Sequence, residues 1–551
     1  MTYQPLVFLN GTAEYGNNNY QILPGLATNY TVSPDGTTYT FNLRQNVLFS
    51  NGDPFTAYDV WTQFYIVYYM AGNSSAWYFG YPIFNTSAVN FGPATLSTME
   101  ASGINPPSSS VLAMMENNAW PIYVNGPNQI IFKTIHPFPW LLYTLTETYG
   151  LLYDSQEVLA HGGPGVPGTP NSYFNENPIA GTGPYTVSQA VANSFLKLVQ
   201  NPTYWGKSLP VANITGDEYL DPGHAATIIV QAKTDDISRY NDLNSGQAQI
   251  AAVTSQNWNL VRANPSMFGQ FTLPTWGQLM AGIGMNTQKY PTNITDFRLA
   301  VAHAINDSDI IQKVFFGQAT PFVGPEFPAW TDYYDVGGYS PPSYNLTLAR
   351  QLLFDEVGNA SVPPLNFAML SSCAPCLAVG TIVQSDLLQL GIQVNVQALS
   401  TAAFAAPNMV GFGGYVGDSK IASQAANFVW MGDSTYAPDL LTPVDDWTTF
   451  VSCTSIANDF AVYCNPTVQQ AVNAWFNGSS PTVLHNALAA AQKQIVADEP
   501  EYYIGTLGLW FGGGSIAWDK SVVSSFLVEP LWSGFDSAPI LNTVQFVPGA
   551  S

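Results

Sequence analysis

The residues whose type and spacing most directly suggest chemistry are four cysteines in two close pairs. Cys373 and Cys376 form a Cys-Ala-Pro-Cys motif, and Cys453 and Cys464 bracket ten residues. A redox motif opens a helix and holds a thiolate of low pKa, whereas a structural zinc site needs about four ligands. The spacing of the second pair does not suit a zinc knuckle. We favour two local disulfides formed in an oxidising compartment.

No other motif with a catalytic or metal-binding mechanism is found. The chain has no GxxxxGK[ST], HExxH, GxSxG or EF-hand pattern. None of the five histidines has a partner at ligand spacing: His136, His161, His224, His303 and His485. We therefore expect no metal and no cofactor. Carboxylates are plentiful enough that a glycosidase pair stays open, but the sequence nominates none.

Composition excludes several classes of partner. The 551 residues carry 37 acidic and 14 basic side chains, a formal net charge of −23. Nucleic acids and anionic membrane surfaces both require a basic footprint that this chain lacks. With 46% hydrophobic residues the chain can bury a large core, and its length predicts three or four domains or two large lobes.

The surface must be covered by neutral polar groups, because only 9% of residues are charged. Segments 60–99 and 387–417 contain no charged side chain. A protein with such a surface loses little stability when its carboxylates are protonated. We therefore consider two explanations: an acidic external medium, or a drift of composition without functional meaning. Ten Asn-X-Ser/Thr sequons favour a glycosylated exterior protein: Asn10, Asn29, Asn73, Asn85, Asn213, Asn293, Asn306, Asn345, Asn359 and Asn477.

Targeting signals are not found within this sequence. Met1-Thr-Tyr-Gln has no basic start or apolar core, and no run reaches the roughly 18–20 apolar residues that span a bilayer. The best apolar run, 61–72, predicts a buried helix. If the protein is external, we expect its targeting or anchoring segments to lie outside this sequence.

Several local patterns predict elements of an α/β fold. A turn at 34–36 precedes a half-buried strand with alternating Tyr39, Phe41 and Leu43. A strand is expected at 194–200, a loop at 161–170 and helices at 297–316 and 481–497, the last with Ser480 as cap. Segment 378–396 predicts a helix, a stop at Gly391 and a strand. The glycine-rich segment 411–417 is expected to be a loop.

Ordered motifs along the whole chain give a family resemblance. The sequence resembles the family 5 extracellular solute-binding proteins, the oligopeptide and dipeptide receptors of ABC importers. The matching segments are Pro-Gly-Leu-Ala at 24–27, Ser-Pro-Asp-Gly at 33–36, Phe-Ser-Asn-Gly-Asp-Pro-Phe-Thr-Ala-Tyr-Asp-Val at 49–60, Gly-Thr-Gly-Pro-Tyr at 181–185, Asn-Pro-Thr-Tyr-Trp at 201–205, Phe-Arg-Leu-Ala at 297–300, Ala-Arg-Gln-Leu-Leu at 349–353 and Leu-Gly-Ile-Gln-Val at 390–394.

The resemblance implies an α/β, two-lobed, periplasmic-binding-protein-like fold of type II, of the large cluster with an extra subdomain. Lobe one would contain 1–254 and 499–551, with 1–177 as the extra subdomain, and lobe two would contain 255–498. The first crossing between the lobes would lie near 235–246. The resemblance also implies a first strand of lobe one before the segment that begins at Tyr3, and we find no match to it; we expect either that this strand lies outside this sequence or that another segment completes the sheet.

The resemblance also suggests ligand-binding residues. In peptide-binding members a Trp-x-x-Asp motif supplies a carboxylate to the peptide's α-ammonium group, and Trp430-Met-Gly-Asp433 matches it. Asp433 would be the amine anchor and Trp430 a pocket wall, although both could instead be structural. Lys420 is the only basic residue between Arg350 and Asp433, which leaves no arginine there for a peptide carboxylate. Aromatic platforms for a sugar ligand would be Trp276, Tyr415, Trp430 and Trp510.

Three functional classes remain open on the sequence. The first is a non-enzymatic, monomeric receptor that captures an oligopeptide or an oligosaccharide and docks on the membrane permease of an ABC importer. The second is a hydrolase with an acid/base pair in one cleft. The third is a glycosylated structural protein of the cell envelope that keeps the receptor fold.

Overall fold

A computed structural model shows how these elements are arranged. It describes residues 2–10, 21–71, 84–85, 92–146, 150–209, 218–272, 279–317, 319–321, 324, 342–358, 361–404, 426–430, 453, 461–507, 514–529 and 538–550.

The strands of the described segments are short and belong to several sheets. They are β1 (Val7–Asn10), β2 (Gln21–Pro24), β3 (Ala27–Val32), β4 (Thr38–Leu43), β5 (Ile122–Val124), β6 (Gln129–Lys133), β7 (Gly165–Val166), β8 (Thr169–Pro170), β9 (Tyr185–Val191), β10 (Phe195–Gln200), β11 (Thr227–Gln231), β12 (Ile250–Thr254), β13 (Phe268–Thr272), β14 (Leu279–Met285), β15 (Leu365–Leu370), β16 (Val394–Leu399), β17 (Phe428–Trp430), β18 (Glu501–Leu507), β19 (Gly514–Asp519), β20 (Val523–Glu529) and β21 (Ala538–Phe546).

The helices are distributed between these strands. They are α1 (Ala57–Ala71), α2 (Pro93–Ser102), α3 (Ser109–Met115), α4 (Leu141–Thr144), α5 (Ser155–Ala160), α6 (Asp236–Asn244), α7 (Ser255–Arg262), α8 (Thr295–Ala304), α9 (Asp307–Lys313), α10 (Leu346–Val357), α11 (Ala374–Leu388), α12 (Thr401–Phe404), α13 (Pro466–Phe476) and α14 (Pro481–Asp498), with 3-10 turns at Ser172–Asn175, Trp205–Ser208 and Glu218–Leu220. No helix of the described segments combines the length and apolar character needed to cross a bilayer.

The N-terminal part contains an antiparallel sheet in the order β3-β4-β6-β5. The predicted strand at its centre is confirmed as β4, because Tyr39, Phe41 and Leu43 are buried while their neighbours are partly exposed. Gly36 (φ +71°) closes the turn before it, in a backbone conformation that favours glycine. Helix α1 packs on this sheet and buries Trp61 and Phe64, as the apolar run predicts.

The central part of the chain forms a five-stranded mixed sheet in the order β16-β15-β17-β14-β18. Strand β15 is parallel to β16 and β17, and β14 is antiparallel to β17 and β18. The predicted helix–glycine–strand unit is confirmed here: α11 buries Val379, Val383 and Leu387, and β16 follows Gly391, whose φ is +79°. This sheet is therefore built from α/β units, as the resemblance implies.

Two connections join this sheet to a smaller one of order β12-β19-β13. Strand β13 precedes β14 across residues 273–278, and β18 precedes β19 across residues 508–513. We name described residues 2–272 and 514–550 lobe one, and described residues 279–507 lobe two. The boundaries implied by the resemblance, at 254/255 and 498/499, stay a prediction.

Three sequence-based expectations need correction. The helix expected over 297–316 is two helices, α8 and α9, because Ile305 is extended and the side chain of Asn306 caps α9 by accepting from the Asp309 amide. The loop expected at 161–170 contains the short hairpin β7–β8. Ser480 does stand at the N-cap of α14, but its side chain makes no capping hydrogen bond.

The first residues of the chain are tied into lobe one. The carbonyl of Thr2 accepts from the Gly183 amide at 2.9 Å, and the carbonyl of Gln4 accepts from the Leu152 amide at 3.0 Å. The side-chain oxygen of Gln4 also accepts from Trp205 Nε1 at 2.9 Å. The family motifs at 181–185 and 201–205 thus hold this segment in place.

Candidate functional site

The five-stranded sheet of lobe two presents one edge toward the connections between the lobes. Strands β15, β16, β17 and β18 all end at this edge, and β14 begins there. Leu279 pairs with Leu507 and Thr272 pairs with Ser515, so the strand ends that flank the two connections are neighbours. In open α/β sheets the carboxyl ends of the strands line the ligand crevice, so this edge is the candidate binding site.

One of the predicted ligand-binding residues, Trp430, has its backbone described at this edge. Trp430 is the last residue of β17, with its backbone opposite Ile283 of β14. Trp276 lies in the connection that leads into β14, and Trp510 lies in the connection that follows β18. The described strands next to these connections, β14 and β18, are neighbours in the sheet.

The remaining predicted residues lie outside the described residues. These are Asp433 and Tyr415, together with Trp276 and Trp510 themselves. The side-chain position of Trp430 is likewise not described, so the pocket wall and the amine anchor stay predictions. The glycine-rich segment 411–417 also falls outside the described part of the chain.

Both disulfides of the structure join the cysteines within the two close pairs, as the spacing favoured. Cys373 and Cys376 are linked at the start of α11, directly after the end of β15, with their Cα atoms 5.3 Å apart. Cys453 is linked to Cys464, with Cα atoms 4.5 Å apart. The first disulfide therefore lies at the candidate edge, and the second closes the chain that returns after Asp433.

Hydrogen bonds hold the returning chain onto lobe two. The amide of Thr287 donates to the carbonyl of Ala461, and its hydroxyl donates to the carbonyl of Val462, both at 2.7 Å. Asn427 donates to the carbonyl of Tyr290, and its backbone carbonyl accepts from the Asn286 amide. The described residues on either side of the segment that carries Asp433 are thereby bonded to lobe two.

A buried ionisable cluster lies inside lobe two, and the sequence analysis did not find it. Tyr502 donates a hydrogen bond to Asp307, and burial raises the pKa of Asp307 to about 7. Burial also raises the pKa of Glu499 well above its usual range, although Arg298 opposes the shift. No sequence signal marks these residues, because their perturbation depends on tertiary burial. They belong to the interior near α8 and β18, away from the candidate edge.

The described residues contain no metal centre. They include no group of three or more His, Cys, Asp or Glu side chains arranged to hold a metal ion.

Comparison with known proteins identifies the family. Residues 21–452 match the family described as bacterial extracellular solute-binding proteins, family 5 Middle. The chain belongs to this family. The two-lobed solute-binding fold implied by the motifs is thereby shown.

Two relatives illustrate the range of this solute-binding family. The nickel-binding periplasmic protein of Escherichia coli (strain K12) is 25% identical over 416 residues, which are 72% of this chain and 65% of the relative. Di/tripeptide-binding protein 2 of Pseudomonas aeruginosa (strain UCBPP-PA14) is 24% identical over 398 residues, 70% of this chain and 65% of the relative. Each match thus covers just under two thirds of the relative's own length.

A solved structure shows the same fold over nearly the whole chain. The dipeptide-binding protein from Pseudoalteromonas sp. SM9913, in complex with Met-Leu, superposes with a TM-score of 0.67 at 18% identity. The superposition covers 98% of this chain and 94% of that structure. At this identity the likeness establishes the fold of this solute-binding protein and not its ligand.

Proposed function

We propose that this solute-binding protein is the extracellular receptor of an ABC importer, which captures oligopeptides by closing its two lobes. The observation that carries the proposal is the position of Trp430. It ends β17 at the edge of lobe two, and the Trp-x-x-Asp motif that it opens continues to Asp433. A carboxylate at this edge can accept a charge-assisted hydrogen bond from a peptide's α-ammonium group, worth about 1.5–3 kcal/mol.

Family membership supports binding rather than hydrolysis. Members of this family are solute-binding proteins, and the relatives named above are described by what they bind. The partner is then a membrane permease that receives the ligand. The receptor would act outside the cell as a membrane-anchored monomer.

Exposed sequons support a glycosylated exterior. Among the described sequons, Asn29, Asn293, Asn345 and Asn477 are exposed to solvent. Asn306 is only partly exposed. We expect glycans at exposed sites more than at Asn306, which peptide mapping before and after enzymatic deglycosylation would measure.

Ligand-dependent thermal melting tests the peptide proposal. The panel contains di- to pentapeptides and cello-, malto- and xylo-oligosaccharides. At a hundredfold excess over Kd a true ligand adds about 2.7 kcal/mol to the free energy of unfolding. We expect peptides to raise Tm and the shift to disappear in Asp433→Asn. The matched control is Asp355→Asn, the same charge change at an exposed position on α10, which should keep the shift.

The other outcomes separate the alternatives. A shift with sugars alone would replace the amine anchor by the aromatic platforms Trp276, Trp430 and Trp510. No shift with any ligand would favour the structural envelope protein on the receptor fold. A peptide shift that survives in Asp433→Asn would keep the peptide receptor but remove Asp433 from its site.

A further inference from the structure

The two lobes touch each other at a small aromatic cluster away from the connections. The ring of Phe138 in lobe one meets the ring of Trp475 in lobe two edge to face, with centroids 5.8 Å apart. An ideal Cβ atom built on Gly478 would lie 2.5 Å from the Cβ atom of His136. Phe138 and Trp475 are both 7% exposed. We name His136, Phe138, Trp475 and Gly478 the inter-lobe cluster.

The lobe-one side of the cluster is rigidly attached. Tyr39 of β4 donates through its hydroxyl to the carbonyl of Phe138 at 2.8 Å. The Thr134 hydroxyl donates to the carbonyl of His136 at 2.6 Å, and the Thr134 amide pairs with the carbonyl of Thr37. His136 and Phe138 therefore move only with the sheet that contains β4 and β6.

The lobe-two side is attached equally firmly. Trp475 and Gly478 lie at the end of α13, which packs against α14. The chain before α13 is bonded to Thr287 beyond the end of β14, and Arg298 of α8 donates to the carbonyls of Asp498 and Glu499 at the end of α14. The end of α13 therefore moves with the five-stranded sheet.

We propose that Phe138 and Trp475 are positioning residues for lobe closure, which hold the lobes in contact even without a ligand. Because each ring is anchored in a different lobe, any opening that separates them exposes both to water. Aromatic pairs of this geometry are stabilising beyond the area that they bury. A contact made only in the closed state shifts the population toward closure.

The stability of this contact between the lobes is also limited. The buried Nε1–H group of Trp475 has no hydrogen-bond partner among the described residues. A buried donor without a partner is unfavourable, and opening returns it to water. The cluster therefore favours closure without making it irreversible, as a receptor that must release its ligand requires.

Small-angle X-ray scattering of the full, ligand-free chain tests this proposal through Gly478→Ala. The alanine Cβ collides with His136 across the cluster and wedges the lobes apart. Gly391→Ala is the matched control, because Gly391 follows a helix of the same lobe with positive φ and an added Cβ there meets nothing within 4 Å. Both variants carry the same kind of backbone strain, and only Gly478→Ala affects the other lobe.

We expect Gly478→Ala to show a larger radius of gyration than the wild type and Gly391→Ala. Trp475→Leu provides a second route to the same expansion without a wedge. Melting curves of each variant confirm that it is folded. Equal radii in all four proteins, or a wild type already as expanded as Gly478→Ala, would overturn the proposal. The measurement uses no ligand, so its outcome is independent of whether peptides bind.

Discussion

Among single residues, Asp59 is a carboxyl group held away from water at the start of α1. Its Oδ2 atom accepts from the Thr56 amide at 2.9 Å and from the Thr56 hydroxyl at 3.0 Å, as in a capping box. Its buried Oδ1 atom has no partner among the described residues. Burial, reinforced by the neighbouring Asp154, raises the pKa of Asp59 to about 8. The folded chain therefore holds a proton that an unfolded aspartate, with a pKa near 3.9, gives up.

This proton makes the stability depend on pH. Its contribution to the free energy of unfolding is full below about pH 4 and is lost as the pH rises through about 8. Asp59→Asn removes the titration, so we expect its stability to fall less between about pH 5 and pH 8.5, by on the order of 1–3 kcal/mol. Urea unfolding at the two pH values measures this. Asp355→Asn should keep the wild-type slope, and an unchanged slope in Asp59→Asn would contradict the assignment.

Among the elements, Arg298 joins α8 to the end of α14 and the start of β18. The guanidinium group is buried and donates to the carbonyls of Thr292, Asp498 and Glu499 at 2.9–3.0 Å. The arginine of the Phe-Arg-Leu-Ala motif thus connects helices and strands within lobe two. No ligand role is needed to explain it.

Removing the Arg298 guanidinium group should destabilise the protein strongly. Arg298→Met leaves several buried acceptors without a donor and leaves Glu499 without its nearby cation, so we expect a loss of about 3–5 kcal/mol in the free energy of unfolding. Arg262→Met, at the exposed end of α7, should change it by less than about 0.5 kcal/mol. Chemical denaturation compares the two. Similar stabilities would show that water or a rearranged chain replaces the guanidinium.

At the scale of the whole molecule, neutral amide side chains form hydrogen bonds at positions where most proteins have ion pairs. A ladder of side-chain amides crosses the sheet β3-β4-β6-β5: Asn42 donates to Asn29 at 2.6 Å, Gln129 to Asn42 at 2.8 Å and Asn125 to Gln129 at 2.8 Å. These bonds do not titrate in the acidic range. The buried carboxyl groups, in contrast, are raised in pKa: Asp59 to about 8, Asp307 to about 7, and Asp154 and Asp386 above their usual range.

The combination predicts a protein that is more stable in acid. Each raised carboxyl pKa adds stability as the pH falls toward that of an unfolded carboxyl group, near 4. We expect Tm of the wild type to be higher near pH 5 than near pH 8. Calorimetry across this range, in buffers of equal ionic strength, is the measurement. A higher Tm near pH 8, or full unfolding near pH 3, would contradict the acidic external medium inferred from the composition.

Local sequence patterns predicted those helices and strands correctly whose apolar residues lie on one face. The alternation around Phe41 and the helix–glycine–strand unit around Gly391 needed only side-chain period and glycine conformation. The break between α8 and α9 was missed because apolar residues continue through Ile305, while the cap by Asn306 ends one helix and starts the next. The spacing of apolar residues along a helix does not by itself reveal such a capping residue.

The sequence by itself determined the family, the two-lobed fold, the disulfide pairing and the motif around Trp430, because each is written in residue types at short or fixed spacing. Only the tertiary structure decided that the pKa values of Asp59 and Asp307 are raised, that Arg298 connects α8 to the end of α14 and the start of β18, and that Phe138 meets Trp475. Those properties arise from burial and from contacts between residues far apart in the chain. Residues 138 and 475 share no local pattern, and only the packing of one lobe on the other brings their rings together.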